Sequence, residues 1–306
     1  MACKSHPHAC PHQPRDSDAR HPDPPRRGRR VTPLVLASVT GAAILHAGWN
    51  ALLRGGSDRL WSMTLMMVAV SVVTGVAALV LPWPNAASRP YVIASALIHA
   101  GYNLSLVRTY RIGDLGQTYP ISRGSSPVLV ALGAMIFAHE AVTLASGLGI
   151  ALVSGGIVSL ALQGRTVRAE VLPAALTTGV LIGAYTVVDG VGVRLAGDGV
   201  AYANAMFLLW SLTMPPLYLA LRGRQIPAYS RRETAMALAG GVVSILAYGI
   251  VIGAMQFGAM GVVSALRETS VVYAALIGRI FLKERLTAQR IASCLAIAAG
   301  AACLAA

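Results

Sequence analysis

Charge is scarce in this sequence. Of 306 residues only 12% are charged, about half the share of an average soluble domain. Acidic residues are the scarcer sign, 12 against 25 Lys and Arg. So little charge cannot coat a water-soluble domain of this length. The four cysteines form no CxxC: Cys3 and Cys10 lie in the N-terminal tail, Cys294 and Cys303 in the last apolar run. Neither a zinc knuckle nor a dithiol redox pair is indicated. GxxxxGK[ST] is absent, so no P-loop ATPase is present. HExxH is absent too, and no two aspartates sit in neighbouring apolar runs. An intramembrane enzyme is therefore the weakest functional class. Aromatics make up 6% and do not interleave with a basic face. The net charge of +13 thus does not read as nucleic-acid binding.

What the chain has instead is long apolar runs. Hydrophobic residues make up 55% of it. Runs near 20 residues, enough to cross a ~30 Å hydrocarbon core as helix, fall at about 33–53, 60–82, 90–109, 115–138, 143–162, 171–193, 200–221, 233–256, 259–281 and 287–305. Barrel strands would be shorter and would alternate polar with apolar. The expected fold is an all-α membrane protein with ten transmembrane helices.

The runs repeat. YPISRGSSPVLVALGAMIFAHEAVT at 119–143 aligns with VSALRETSVVYAALIGRIFLKERLT at 263–287 at a constant shift of 144. Arg123 meets Arg267, Ser126 meets Ser270, Glu140 meets Glu284 and Thr143 meets Thr287. Upstream the shift becomes 145, and Gly113 and Gly116 meet Gly258 and Gly261. Five spans per copy means that the second copy enters the membrane inverted. Charge agrees. The loops after odd-numbered spans carry Arg54, Arg59, Arg108, Arg111, Arg165, Arg168, Arg222, Arg224, Arg231, Arg232, Lys283, Arg285 and Arg290, and the others only Arg89 and Arg194. Inverted five-helix repeats, 33–165 and 166–306, place all thirteen on one face. By the positive-inside rule that face is cytoplasmic.

Residues 1–32, MACKSHPHACPHQPRDSDARHPDPPRRGRRVT, read as a disordered basic tail. Its Cys3, His6, His8, Cys10 and His12 fit no known metal geometry, so no metal and no cofactor is assigned. RRGRR before VTPLVLASVTGAA has the layout of a signal peptide, but nine further spans make a first transmembrane helix the simpler reading. The topology places the tail outside, whereas its basic residues favour the cytoplasm. Translation starting near Val31, with the tail an annotation extension, would remove the conflict. N-terminal sequencing of the native protein tests this.

The paired repeats, AGWN at the end of span 1, and the acidic turn that closes span 4 (MIFAHEAVT, then RIFLKERLT) resemble the EamA-type carriers of the drug/metabolite transporter superfamily. The resemblance covers about 33–306. It implies a helical bundle in a multi-pass cell (inner) membrane protein. Spans 1, 3, 4, 6, 8 and 9 would line a central cavity, and spans 5 and 10 would serve packing or homodimer contacts. It also implies secondary transport, often export, of a small metabolite, or flipping of an anionic lipid headgroup.

Ionisable residues inside a span are costly, and so are functional candidates. Arg123 and Arg267 occupy equivalent repeat positions. Together they would suit a carboxylate, phosphate or phosphonate. Alternatively each is neutralised internally, by Glu268 or Asp189. On a continuous helix Glu268 would not face Arg267 but could reach Arg123. Pro120 and Pro127 flank SRGSS in span 4 and predict a kinked or unwound segment there. Span 9 has no such prolines, so only span 4 is expected to break. HAGWN at 46–50 and HAGYN at 99–103 put His46 with Asn50, and His99 with Asn103, on one helical face each. They read either as interhelical hydrogen-bonding groups or as a polar cavity wall. Among the aromatics of cavity-side spans, Trp49, Tyr102, Tyr119, Tyr185 and Tyr248, the better candidates are Tyr119 and Tyr185.

Overall fold

The computed structural model describes residues 32–54, 56–112, 115–162, 169–281 and 287–305. The tail readings lie outside these residues, as does Glu284 of the duplicated block. The described residues form helices and no strands: α1 (Pro33–Arg54), α2 (Arg59–Ala77), α3 (Arg89–Ile112), α4 (Leu115–Phe137), α5 (Leu144–Ala161), α6 (Val171–Leu195), α7 (Gly199–Ser211), α8 (Met214–Arg222), α9 (Arg231–Phe257), α10 (Met260–Arg267), α11 (Ser270–Phe281) and α12 (Ala288–Ala305), with a short 3₁₀ turn at Ala86–Ser88. Among the described residues seven segments are long and apolar enough to cross a bilayer: α2, most of α4, α5, α6, α7 with α8, α9 and α12. This is a multi-pass helical membrane protein. The other expected spans correspond to α1, α3 and the ninth, which is divided.

That division reverses an expectation. Span 4 is one continuous helix with Pro120 and Pro127 inside it. Each proline removes an N–H and frees a carbonyl one turn back. The same stretch is tied to α6, where Ser122 Oγ lies 2.9 Å from Ala175 O and also 2.9 Å from Thr118 O of its own helix. Span 9, without proline, breaks between α10 and α11. Its backbone tightens to i→i−3 bonds, Glu268 N to Ala265 O at 3.1 Å and Thr269 N to Leu266 O at 3.1 Å. The Thr269 hydroxyl donates to the same Leu266 carbonyl at 2.7 Å. Span 7 also divides, because Pro215 and Pro216 open α8 and cannot extend α7's hydrogen bonds.

Small residues set the packing. α5 lies against α12 so closely that a Cβ at Gly300 would fall 2.8 Å from Gly149 O, the close approach small residues allow in lipid. α4 lies on α6 the same way, a Cβ at Gly179 falling 3.0 Å from Ser122 O. That contact fixes the turn of α4 carrying Arg123. Met66, Met67, Phe207, Met214, Val251 and Met255 fill the core between α2, α7, α8 and α9.

Helix caps also join the two halves of the chain. Ser230 and Glu233 form a capping box at the start of α9, and Glu233 Oε1 also accepts from Ser57 N at 2.9 Å. Asp58 caps α2 and takes Arg222 Nη1 at 2.9 Å. At the far end of α9, Arg194 pairs with Glu140 at 2.6 Å and donates to Met255 O at 2.9 Å and Gly258 O at 2.8 Å. Glu140 also accepts from Met260 N at 2.9 Å, at the start of α10, where the helix dipole favours an anion. Glu233 and Met255 are 22 residues apart on one helix, about 33 Å at 1.5 Å per residue. The two clusters therefore clasp opposite ends of the bundle.

Candidate substrate-binding site

Inside the bundle lies a cavity of about 90 Å³, well below the ~300–1,000 Å³ typical of drug-sized sites. Among its lining residues are His46, Asn50, His99, Asn103, Tyr119, Arg123, Tyr185 and Arg267, eight of the nine candidates named from sequence. The ninth, Glu268, sits behind both arginines. Arg267 Nε and Nη2 donate to Glu268 Oε1 at 3.3 and 3.1 Å. Arg123 Nε lies 2.9 Å from Glu268 Oε2. The last pair is close enough for ionic attraction, yet neither atom is aligned for a hydrogen bond. All three side chains are almost wholly buried, at 6%, 2% and 0% exposed for Arg123, Arg267 and Glu268.

The expectation that Glu268 faces away from Arg267 is thus corrected. Adjacent residues diverge on a continuous helix, but Arg267 ends α10 and Glu268 is its C-cap. The turn between α10 and α11 swings the carboxylate back toward its neighbour while it still reaches Arg123 on α4. Asp189 takes another role, accepting from Tyr202 at 3.0 Å and Tyr248 at 2.8 Å. One carboxylate therefore touches two guanidinium groups. Two guanidiniums carry about ten N–H donors, and a carboxylate has about four acceptor positions, so donors are in excess.

The pentapeptides from α1 and α3 face this common space. His46 Nε2 meets Arg123 Nη2 at 2.9 Å, and Trp49 Nε1 meets His46 Nδ1 at 3.2 Å. Asn50 donates to its own helix, at His46 O, 2.8 Å. His99, buried, stacks on Tyr185 at 3.8 Å between centroids and tilts against Trp210 at 4.4 Å. Its Nδ1 meets Ser95 O at 2.9 Å. Asn103 Nδ2 reaches Met214 Sδ at 3.7 Å. The guanidiniums of Arg123 and Arg267 lie 5.8 and 5.7 Å from the rings of Tyr119 and Tyr248, within cation–π range. Tyr185 of α6 and Ser244 of α9 line the cavity too. Sequence reasoning missed Met63, Met66, Met67, Phe207 and Trp210, which α2 and α7 contribute. Apolar side chains facing a cavity look like lipid-facing ones in a sequence, and only the pairing of Met with aromatic residues was there to hint at them.

The model of the EamA-like transporter family matches residues 171–306. That stretch, most of the second half of the chain, is similar to this family. The match is consistent with an EamA-type transporter of the drug/metabolite transporter superfamily. A search of curated proteins finds no match. A solved structure described as "Crystal structure of protein" superposes with a TM-score of 0.70 at 18% identity, covering 88% of this chain and 94% of that one. That likeness shows the fold alone.

Proposed function

We propose that this EamA-type protein is a secondary carrier that exports a small polar anion across the cell (inner) membrane. In this reading 33–165 and 166–306 are inverted five-helix repeats, ten spans in all, which rock about the cavity to give alternating access. The observation that carries the proposal is the pairing of Arg123 and Arg267 with a single buried carboxylate, Glu268, at the wall of an enclosed cavity. A guanidinium buried in a bilayer is costly, and two of them share one carboxylate at the cavity wall. The clasps at the two ends of α9 suit the motion, since each must open when its own side gives access. Vesicle flux tests it, with a panel of amino acids, carboxylates and phosphonates offered to wild type, Arg123→Ala and Arg267→Ala. Anion flux lost in both variants supports the proposal; undiminished flux in both defeats it.

One observation favours a second reading. A groove of about 1,000 Å³ runs between α2, α7 and α9, lined by apolar residues such as Val73, Leu246 and Ile250, with Arg194 and Asp198 among its polar ones. Phe207 borders both this groove and the small cavity. A flippase for anionic lipid headgroups would use such a side opening. Scrambling of fluorescent phosphatidylglycerol in vesicles separates the two readings.

A further inference from the structure

His46 is placed between two groups that can only donate. Trp49 offers an indole N–H and Arg123 a guanidinium N–H, and neither has an acceptor. The two contacts, at 3.2 Å on Nδ1 and 2.9 Å on Nε2, would require both ring nitrogens to accept. A neutral imidazole has one acceptor nitrogen and an imidazolium has none. One ring N–H therefore confronts another donor. With the Trp49 indole on Nδ1, the hydrogen belongs on Nε2 and points at Arg123 Nη2. Two donors then converge on one spot at the cavity wall.

We infer that the site takes a short monocarboxylate, one oxygen of which accepts from both His46 Nε2–H and Arg123. This rests on the anion-carrier reading above and specifies the anion. A carboxylate oxygen on the cavity side, with the Arg123 guanidinium drawn off Nε2, accepts from both and resolves their conflict. A neutral guest would resolve it more weakly, because hydrogen bonds from a guanidinium to a charged oxygen are about twice as strong as neutral ones. The charge count selects a monoanion. Arg123 and Arg267 share one carboxylate at the wall, Glu268. Asp189, which accepts from Tyr202 and Tyr248 and does not line the cavity, also acts on Arg267 from behind, so the guest meets at most one unbalanced positive charge. The volume of about 90 Å³ keeps the guest short. Tyr102, Tyr185, Phe207 and Trp210 on the remaining walls suit an apolar tail better than a second charged end.

Trp49 and Trp210 both line the cavity, so tryptophan fluorescence of the purified full-length protein reports binding without reference to transport. Propionate, methylphosphonate, inorganic phosphate and the neutral propionamide serve as probes. Propionate is expected to bind at least tenfold more tightly than propionamide and, in buffer alkaline enough to make it a dianion, methylphosphonate. His46→Phe removes the donor and should weaken propionate about tenfold or more. His46→Gln, whose amide N–H can occupy the Nε2 position, should stay within about fivefold of wild type. Equal affinity of His46→Phe and wild type overturns the role of His46, and so does an equal loss in the Phe and Gln variants. Methylphosphonate or phosphate binding as tightly as propionate overturns the monocarboxylate while leaving the anion-carrier reading intact. Propionamide binding as tightly as propionate defeats both. If His46→Phe does not fold, the Gln variant and the propionate-to-methylphosphonate ratio still decide.

Discussion

Replacing Glu268 by Gln keeps the size and shape of the side chain and removes one charge. In the structure that charge serves two partners, Arg123 at 2.9 Å and Arg267 at 3.1 Å. With charge centres about 4 Å apart and an effective dielectric near 20, each attraction is worth about 4 kcal/mol before desolvation. Breaking a buried pair by removing one partner usually costs about 3–5 kcal/mol, because the remaining charge is left uncompensated. Here two guanidiniums are stranded together and the new amide N–H is a donor facing donors. The loss should lie at the upper end of that range. Denaturant unfolding of detergent-purified protein, followed by tryptophan fluorescence, measures it. Adding an anion should recover part of the loss, so propionate should stabilise Glu268→Gln more than it stabilises wild type. A variant within about 0.5 kcal/mol of wild type would refute the reasoning, since the arginines would then have to be neutralised by something other than Glu268.

Other expectations concern the frame around the site. Arg194→Met breaks a partly buried ion pair and two bonds to carbonyls and should cost about 2–3 kcal/mol; Arg222→Met, at a pair whose arginine is 47% exposed, should cost under about 1 kcal/mol, both read by the same unfolding assay. Gly300→Val places a side chain where a Cβ already meets Gly149 O at 2.8 Å and Val153 N at 2.9 Å, so α5 and α12 must separate at a cost of about 1–3 kcal/mol or more, visible as a lower unfolding midpoint. Tyr202→Phe takes one hydroxyl from Asp189 and should lose about 1.5–3 kcal/mol, and a double-mutant cycle with Tyr248→Phe should be non-additive because both bind the same carboxylate.

The parts of the site that could be read from sequence are those where polarity breaks an apolar background. Arg123, Arg267 and the two His/Asn pentapeptides stand out because each is expensive where it sits. The 144-residue shift paired the arginines before any geometry was known. Their shared partner was harder to see. Glu268 was set aside for Arg267 by a rule that holds only for an unbroken helix, and the break at 267–270 carries no proline or glycine to announce it. The reverse happened in span 4, where two prolines read as a kinked or unwound segment and the helix runs unbroken through them. α4 packs closely on α6 along this stretch, and no local pattern in α4 announces that contact. The walls given by α2 and α7 were invisible for a different reason: Met66 and Phe207 would be equally at home against lipid.

The most direct test of the central claim is to locate the guest. Crystals of the full-length protein grown with 3-bromopropionate, measured at the bromine absorption edge, give an anomalous peak wherever that carboxylate sits. The site described above predicts a bromine peak inside the cavity between α1, α3 and α6, with the carboxylate within hydrogen-bonding distance of Arg123 and His46. A vesicle preparation that transports 3-bromopropionate, while the crystals place bromine elsewhere and leave Arg123 and Arg267 on Glu268 alone, would contradict it.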